Sequence, residues 1–256
     1  PPSSSNNVIE IQSGHTVSVN TNITIDQVVI DAGGILTNTS NTITVNNGSG
    51  TDIQIDGTMN VYGTCSLSTN SNIDVNGTLD NKSTGTISKN PNSGINIYGR
   101  VIVEGGTIPT TSGFWIAQTG GIYEHARNGS TIPTVSWQSG STLEVTGITT
   151  SVPAGLGQSF QNFTWKSASQ SVEINLGAAL TTVQGNFTMT STGTGAVNFD
   201  QQGNNSTINI SGNFSQSGGT LYMCINGAAT MNVTGDRKST RLNSSHGYIS
   251  YAVFCL

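Results

Sequence analysis

The sequence predicts an all-β protein built as a right-handed parallel β-helix, on three observations. First, a phrase of the form apolar, any, apolar, any, Gly, any, apolar recurs as Ile53 to Met59, Ile73 to Leu79, Ile95 to Val101 and Ile208 to Phe214. Second, its glycines at 57, 77 and 99 lie 20 and 22 residues apart, the interval of one solenoid coil. Third, only 8% of the 256 residues are charged while glycine numbers 32, a profile of strands and turns rather than of helices or of charge-rich disorder.

Along the chain, Pro1 to Asn7 have the composition of a disordered linker. From Val8 onward, apolar residues alternate in short runs: Ile9/Ile11, Val17/Val19, Ile23/Ile25, Val28/Ile30 and Ile43/Val45. Period-two runs closed by Gly, Asn or Asp are half-buried strands between turns. Antiparallel β-sandwich repeats are the alternative, with Asn46-Asn47-Gly48 as a hairpin signal. The repeat favours the solenoid because it gives each unit an equivalent apolar pair and an equivalent glycine. Ile55, Val75 and Ile97 should stack inward, and Gly57, Gly77 and Gly99 should turn one corner, by positive φ or by lacking a Cβ. Thr181 to Phe187 is a degenerate copy, and Leu143 to Gly147 and Met231 to Gly235 carry the first five positions.

Residues 107–170 depart from this rhythm as irregular, aromatic-rich middle coils. They hold all three tryptophans, Trp115, Trp137 and Trp165, with Phe114, Tyr123, Phe160 and Phe163. Larger coils, a bulging insertion or a changed cross-section would each account for them. The solenoid domain is expected to span 8–235. The segment 236–256 breaks the composition and resembles the translation of a sequencing adapter, so it is read as a non-native tail on a fragment of a longer protein.

A net charge of −5 and scattered basic residues argue against nucleic acid, which needs a basic stripe. No apolar run reaches the length of a membrane span. No cofactor or metal motif is present. Asp52 and Asp56 read as solvated turn carboxylates rather than calcium ligands. Cys65 and Cys224 fall too many coils apart for a disulfide. No catalytic residue is assigned. Tyr123-Glu124-His125-Ala126-Arg127 is the one place where acid, imidazole and base cluster, and it reads as a solvated loop; on a strand, Glu124 and His125 would point to opposite faces. Glu104, Glu124, Glu144 and Glu173 are too scattered to pair by spacing. Thr-x-Thr steps such as Thr42-Ile43-Thr44 suggest a flat ice-binding face but show no recurrence at the coil period.

The candidate ligand-binding residues are Trp115, Tyr123, Trp137 and Trp165, whose rings could stack on glycans or fill the wide interior of a larger coil. The openings Ser13 to Val19, Asn22 to Ile25 and Ile30 to Leu36 resemble the start of bacterial secreted β-solenoid surface proteins. Gly121 to His125, Ile132 to Trp137 and Gly157 to Trp165 resemble segments of type IX secretion cargo. The resemblance implies a secreted or cell-surface, non-enzymatic structural or adhesive protein, with glycans or other surface proteins as partners. A carbohydrate-binding module is the alternative, and a β-helix polysaccharide lyase or glycosidase the third reading. A lyase would need Lys or Arg beside a carboxylate cluster on one face, and only Lys82, Lys89, Arg100, Arg127 and Lys166 lie outside the tail.

Overall fold

The computed structural model describes residues 8–202, 204–225, 228–239 and 252–253. Among them there is no helix, and the sheets are parallel ladders wound as a β-helix. The linker Pro1 to Asn7 lies outside the described residues. The chain divides into two compact units: residues up to Ala126 with Pro133–Ser141, and Arg127–Ile132 with the chain from Thr142 onward.

In the first unit there are three ladders, and the first four coils contribute to all of them. The first ladder stacks Ile9–Ile11, Val28–Ile30, Ile53–Ile55, Asn72–Val75, Gly94–Ile97, Trp115–Ala117 and Val135–Trp137. The second stacks Thr16–Val19, Ile35–Asn38, Thr58–Val61, Thr78–Asn81, Arg100–Val103 and Ile122–His125. The third stacks Ile23–Ile25, Thr42–Val45, Thr64–Leu67 and Thr86–Ser88. Register is like on like: Val75 pairs with Ile55 on one side and Ile97 on the other, and all three are fully buried. Burying one such side chain is worth about 1.5–3 kcal/mol, so columns of Ile and Val drive the stack. Asn46-Asn47-Gly48 makes no hairpin. The one antiparallel pair among the described residues is Ala228–Val233 with Ala252–Val253, so the sandwich alternative is not adopted.

The glycines of the repeat do turn one corner, and the structure selects the reason. Gly34, Gly57, Gly77, Gly99 and Gly121 each precede the second-ladder strand of successive coils, and none has a positive φ. At each, an added Cβ would collide with backbone of the coil before it. The corner is tight because two consecutive amides reach one carbonyl: Asn76 N and Gly77 N donate to Ile55 O at 2.8 and 2.6 Å.

In the second unit the same three-step winding recurs. Thr142–Val145, Asn162–Lys166, Phe187–Ser191, Phe214–Gln216 and Arg237–Ser239 form one ladder. Glu173–Asn175, Ala196–Asp200 and Leu221–Cys224 form another; Thr182–Val183, Asn204–Ile210 and Ala228–Val233 form the third. Here the post-glycine column is aromatic: Phe163, Phe187 and Phe214 pair in register with centroids 5.2 and 5.4 Å apart, edge to face. Such contacts add about 0.5–1.5 kcal/mol each beyond burial. Leu143-Glu144-Val145 is not a copy of the first-ladder phrase. It pairs with Phe163-Thr164-Trp165 and therefore holds the post-glycine position, one strand later than the spacing suggested. Arg237 occupies the next step of that column, opposite Phe214, and is exposed.

In the aromatic-rich segment rings take the inward positions. In the first unit the strand Trp115–Ala117 packs a large and a small residue where its neighbour Val135–Trp137 packs the reverse, so the two coils complement each other in volume. Trp115 donates Nε1–H to Pro109 O at 2.8 Å and meets Phe114 and Tyr123 edge-on. In the second unit Trp165 donates to Gln170 Oε1 at 3.0 Å, and Gln170 Nε2 donates to Ala196 O at 2.6 Å.

Candidate functional site

Three of the four candidate rings are interior. Trp115, Tyr123 and Trp165 are fully buried, so they present no face to a sugar; they pack in the coil interior. Trp137 is half-buried. The segment around His125 is likewise not a solvated loop. Ile122–His125 is a strand with Tyr123 and His125 turned inward and Glu124 outward, because alternation sends neighbours to opposite faces.

Asp52 is also not solvated. It is buried and its carboxylate accepts from Gly48 N at 2.6 Å and Asn72 N at 2.7 Å, tying one turn to the next coil. Asp56 accepts from Gln54 Nε2 and Asn76 Nδ2, each at 2.7 Å. Among the described residues no group of three or more His, Cys, Asp and Glu is placed to hold a metal. Cys65 and Cys224 are buried, and burial pushes the Cys65 thiol up to about 12.

The threonine steps do recur once register replaces spacing. Thr42-Ile43-Thr44, Thr64-Cys65-Ser66 and Thr86-Ile87-Ser88 stack on the third ladder of the first unit, giving outward columns Thr42, Thr64, Thr86 and Thr44, Ser66, Ser88. Two of the three second steps are serine, which is why the sequence hid the repeat.

The grouping of charge that sequence spacing could not assemble lies on the outward face of the second ladder in the first unit. Register places Asn60, Asp80, Ile102 and Glu124 in one column, and Thr58, Thr78, Arg100 and Ile122 in the next. The ladder continues past the strand ends through Lys82 N to Val61 O and Glu104 N to Asn81 O, so Tyr62, Lys82 and Glu104 form a third column. Neighbours along a column are about 4.8 Å apart and columns about 6.6–6.8 Å apart. Lys82 Nζ bridges Asp80 Oδ2 at 2.5 Å and Glu104 Oε1 at 2.9 Å, and Arg100 Nη1 meets Glu124 Oε2 at 2.5 Å. Tyr62 is 42% exposed beside them.

The electrostatics of this patch are unequal. Burial raises the Asp80 carboxyl above its ordinary value; the Lys82 hydrogen bond opposes the shift and Glu104 reinforces it. Asp80 is 7% exposed, and its Oδ1 is buried with no hydrogen-bond partner. For Lys82, burial acts to lower the ammonium, but the hydrogen bonds to Asp80 and Glu104 and their charges win, holding it above its ordinary range. A lysine general base needs the opposite shift, so the basic residue beside the carboxylates is a fixed cation rather than a proton acceptor. The patch is suited to binding through hydrogen bonds and ring contact.

Of these residues the sequence singled out Glu104 and Glu124 only as unpaired acids, and missed Tyr62, Asp80, Lys82 and Arg100. The signal was available in part: one coil separates Tyr62 from Lys82 and Lys82 from Glu104. Searches against protein-family models, curated proteins and solved structures find no match.

Proposed function

We propose that the chain is a non-enzymatic, extracellular or cell-surface structural and adhesive repeat protein, with the type IX pathway as its export route. The observation that carries this reading is the in-register stack itself: coil laid on coil in parallel ladders, which sets outward side chains in regularly spaced columns along each sheet. The ion pairs of the charged patch support it further, because Lys82 is committed to two carboxylates and Arg100 to a third. A carbohydrate-binding role is the second reading, favoured by the exposed Tyr62 ring beside planar polar side chains.

The test uses beads coated with the whole chain, washed over surfaces carrying polysaccharides or bacterial cells, with parallel assays for reducing ends and unsaturated uronates. Retention without product release is expected. Release of either product in proportion to protein concentration would overturn the non-enzymatic reading, and failure to adhere to any surface would overturn the adhesive one.

A further inference from the structure

We propose that the outward face around Tyr62, Asp80, Lys82 and Glu104 binds an uncharged polysaccharide chain; this rests on the adhesive reading and names the partner. Four observations converge on it. Tyr62, a residue 42% exposed, stands at the edge of a polar sheet, where a sugar's C–H face can stack on its ring. One step away lie Asn60, Asp80, Arg100 and Glu124, planar groups that donate to or accept from vicinal hydroxyls.

The third observation is Asp80 Oδ1, a buried acceptor with no partner. An unsatisfied buried acceptor costs about 1–3 kcal/mol, so a donor that reaches it is rewarded. Lys82 pairs with the other oxygen of this carboxylate, Oδ2, and also contacts Glu104, whose side chain is 40% exposed. A shift of the Lys82 ammonium toward Glu104 opens Asp80 to a ligand hydroxyl while keeping the lysine paired.

The fourth is charge. Asp80, Glu104 and Glu124 outnumber Lys82 and Arg100, so the patch is net negative and repels uronates and sulfated sugars. A protein partner fits less well. Stable protein interfaces bury about 800 Å² per side around an apolar centre, and here register sets only two aliphatic residues, Ile102 and Ile122, in the outward columns that hold the ion pairs.

The experiment titrates the whole chain by calorimetry and affinity electrophoresis with laminarin, xyloglucan and galactomannan, with alginate as the anionic comparison. At least one uncharged polymer should bind and alginate should not. Tyr62→Ala should weaken binding at least tenfold with an unchanged far-ultraviolet circular dichroism spectrum. Tyr62→Phe should retain binding, and Tyr98→Ala, at an equally exposed tyrosine on a different corner, should leave it unaltered. If Tyr62→Ala folds poorly, Glu104→Gln with Lys82→Met takes its place and should also reduce affinity. Binding to alginate in preference to the others, or equal binding by Tyr62→Ala, overturns the site. So does adhesion of the beads with no affinity for any of the uncharged polymers, an outcome that leaves the adhesive reading standing; loss of adhesion altogether removes both.

Discussion

Replacing Gly77 with alanine should destabilise the protein by about 2–4 kcal/mol, and the number follows from the corner it occupies. A Cβ there would lie 2.7 Å from the Asp56 carbonyl carbon and nearer still to the Asp56 and Gly57 oxygens, all backbone of the preceding coil. Carbon contacts relax at about 3.5–4.0 Å, so the corner has to open by roughly 1 Å. That movement strains packing, at about 1–3 kcal/mol. It also weakens the bonds from Gly77 N to Ile55 O at 2.6 Å and Thr78 N to Gly57 O at 2.9 Å, worth about 1 kcal/mol each. The smaller unfolded-state entropy of alanine returns about 0.4–1 kcal/mol. Gly94→Ala is the matched control, because its Cβ would meet Phe114 O at 3.5 Å and Asn72 Oδ1 at 3.8 Å, both ordinary contacts, and its φ is not positive. Urea denaturation of both variants and the parent, followed by circular dichroism and tryptophan fluorescence, reads the difference. Gly94→Ala should match or slightly exceed the parent. If Gly77→Ala is no less stable than Gly94→Ala, the steric account of the repeat glycine is wrong.

Other consequences are as direct. Cys65, buried with its thiol pushed up to about 12, should resist iodoacetamide in the native protein at pH 8 and react on unfolding, as mass spectrometry of the labelled peptide will show. Gln170→Leu should cost about 1–3 kcal/mol, because it strips partners from the Trp165 indole N–H and from Ala196 O, and a midpoint equal to the parent's would contradict the buried network. The Lys82 ammonium is held above its ordinary 10.5, so its contribution is complete below that pH and is lost as pH rises through the higher folded value; Lys82→Met should remove this alkaline step from the melting temperature. Asp80 has the same sign, at the acid end of the range. Its raised carboxyl favours folding while protonated, and that share fades as pH climbs from the ordinary value of 3.8 through the folded one, a loss that Asp80→Asn should abolish.

Much of the fold was legible because the interior of a β-helix writes itself into sequence. Ile55, Val75 and Ile97 must be apolar, must alternate and must recur once per coil, so period and register are visible together. The glycine corner was legible for the same reason, although only the coil-to-coil distance distinguished a missing Cβ from a positive φ. Leu143-Glu144-Val145 misled because first- and second-ladder strands share the same alternation, and nothing local tells one ladder from another. The aromatic residues misled differently: a tryptophan that stacks on a ligand and one that packs inside a coil have the same flanking pattern, and only enclosure on every side decides between them.

The sequence by itself determined the strand period, the coil interval, the inward columns and the glycine at their corner, since each is a constraint repeated in every coil. Only the tertiary structure decided which outward residues meet. Tyr62, Lys82 and Glu104 are 20 and 22 residues apart, and their alignment depends on turns of unequal length that the backbone ladder, not the side chains, brings into register. Outward positions face water and tolerate almost any polar residue, so residue type changes from coil to coil and their periodic signal is weak. The charged patch therefore emerges only when one coil is laid on the next.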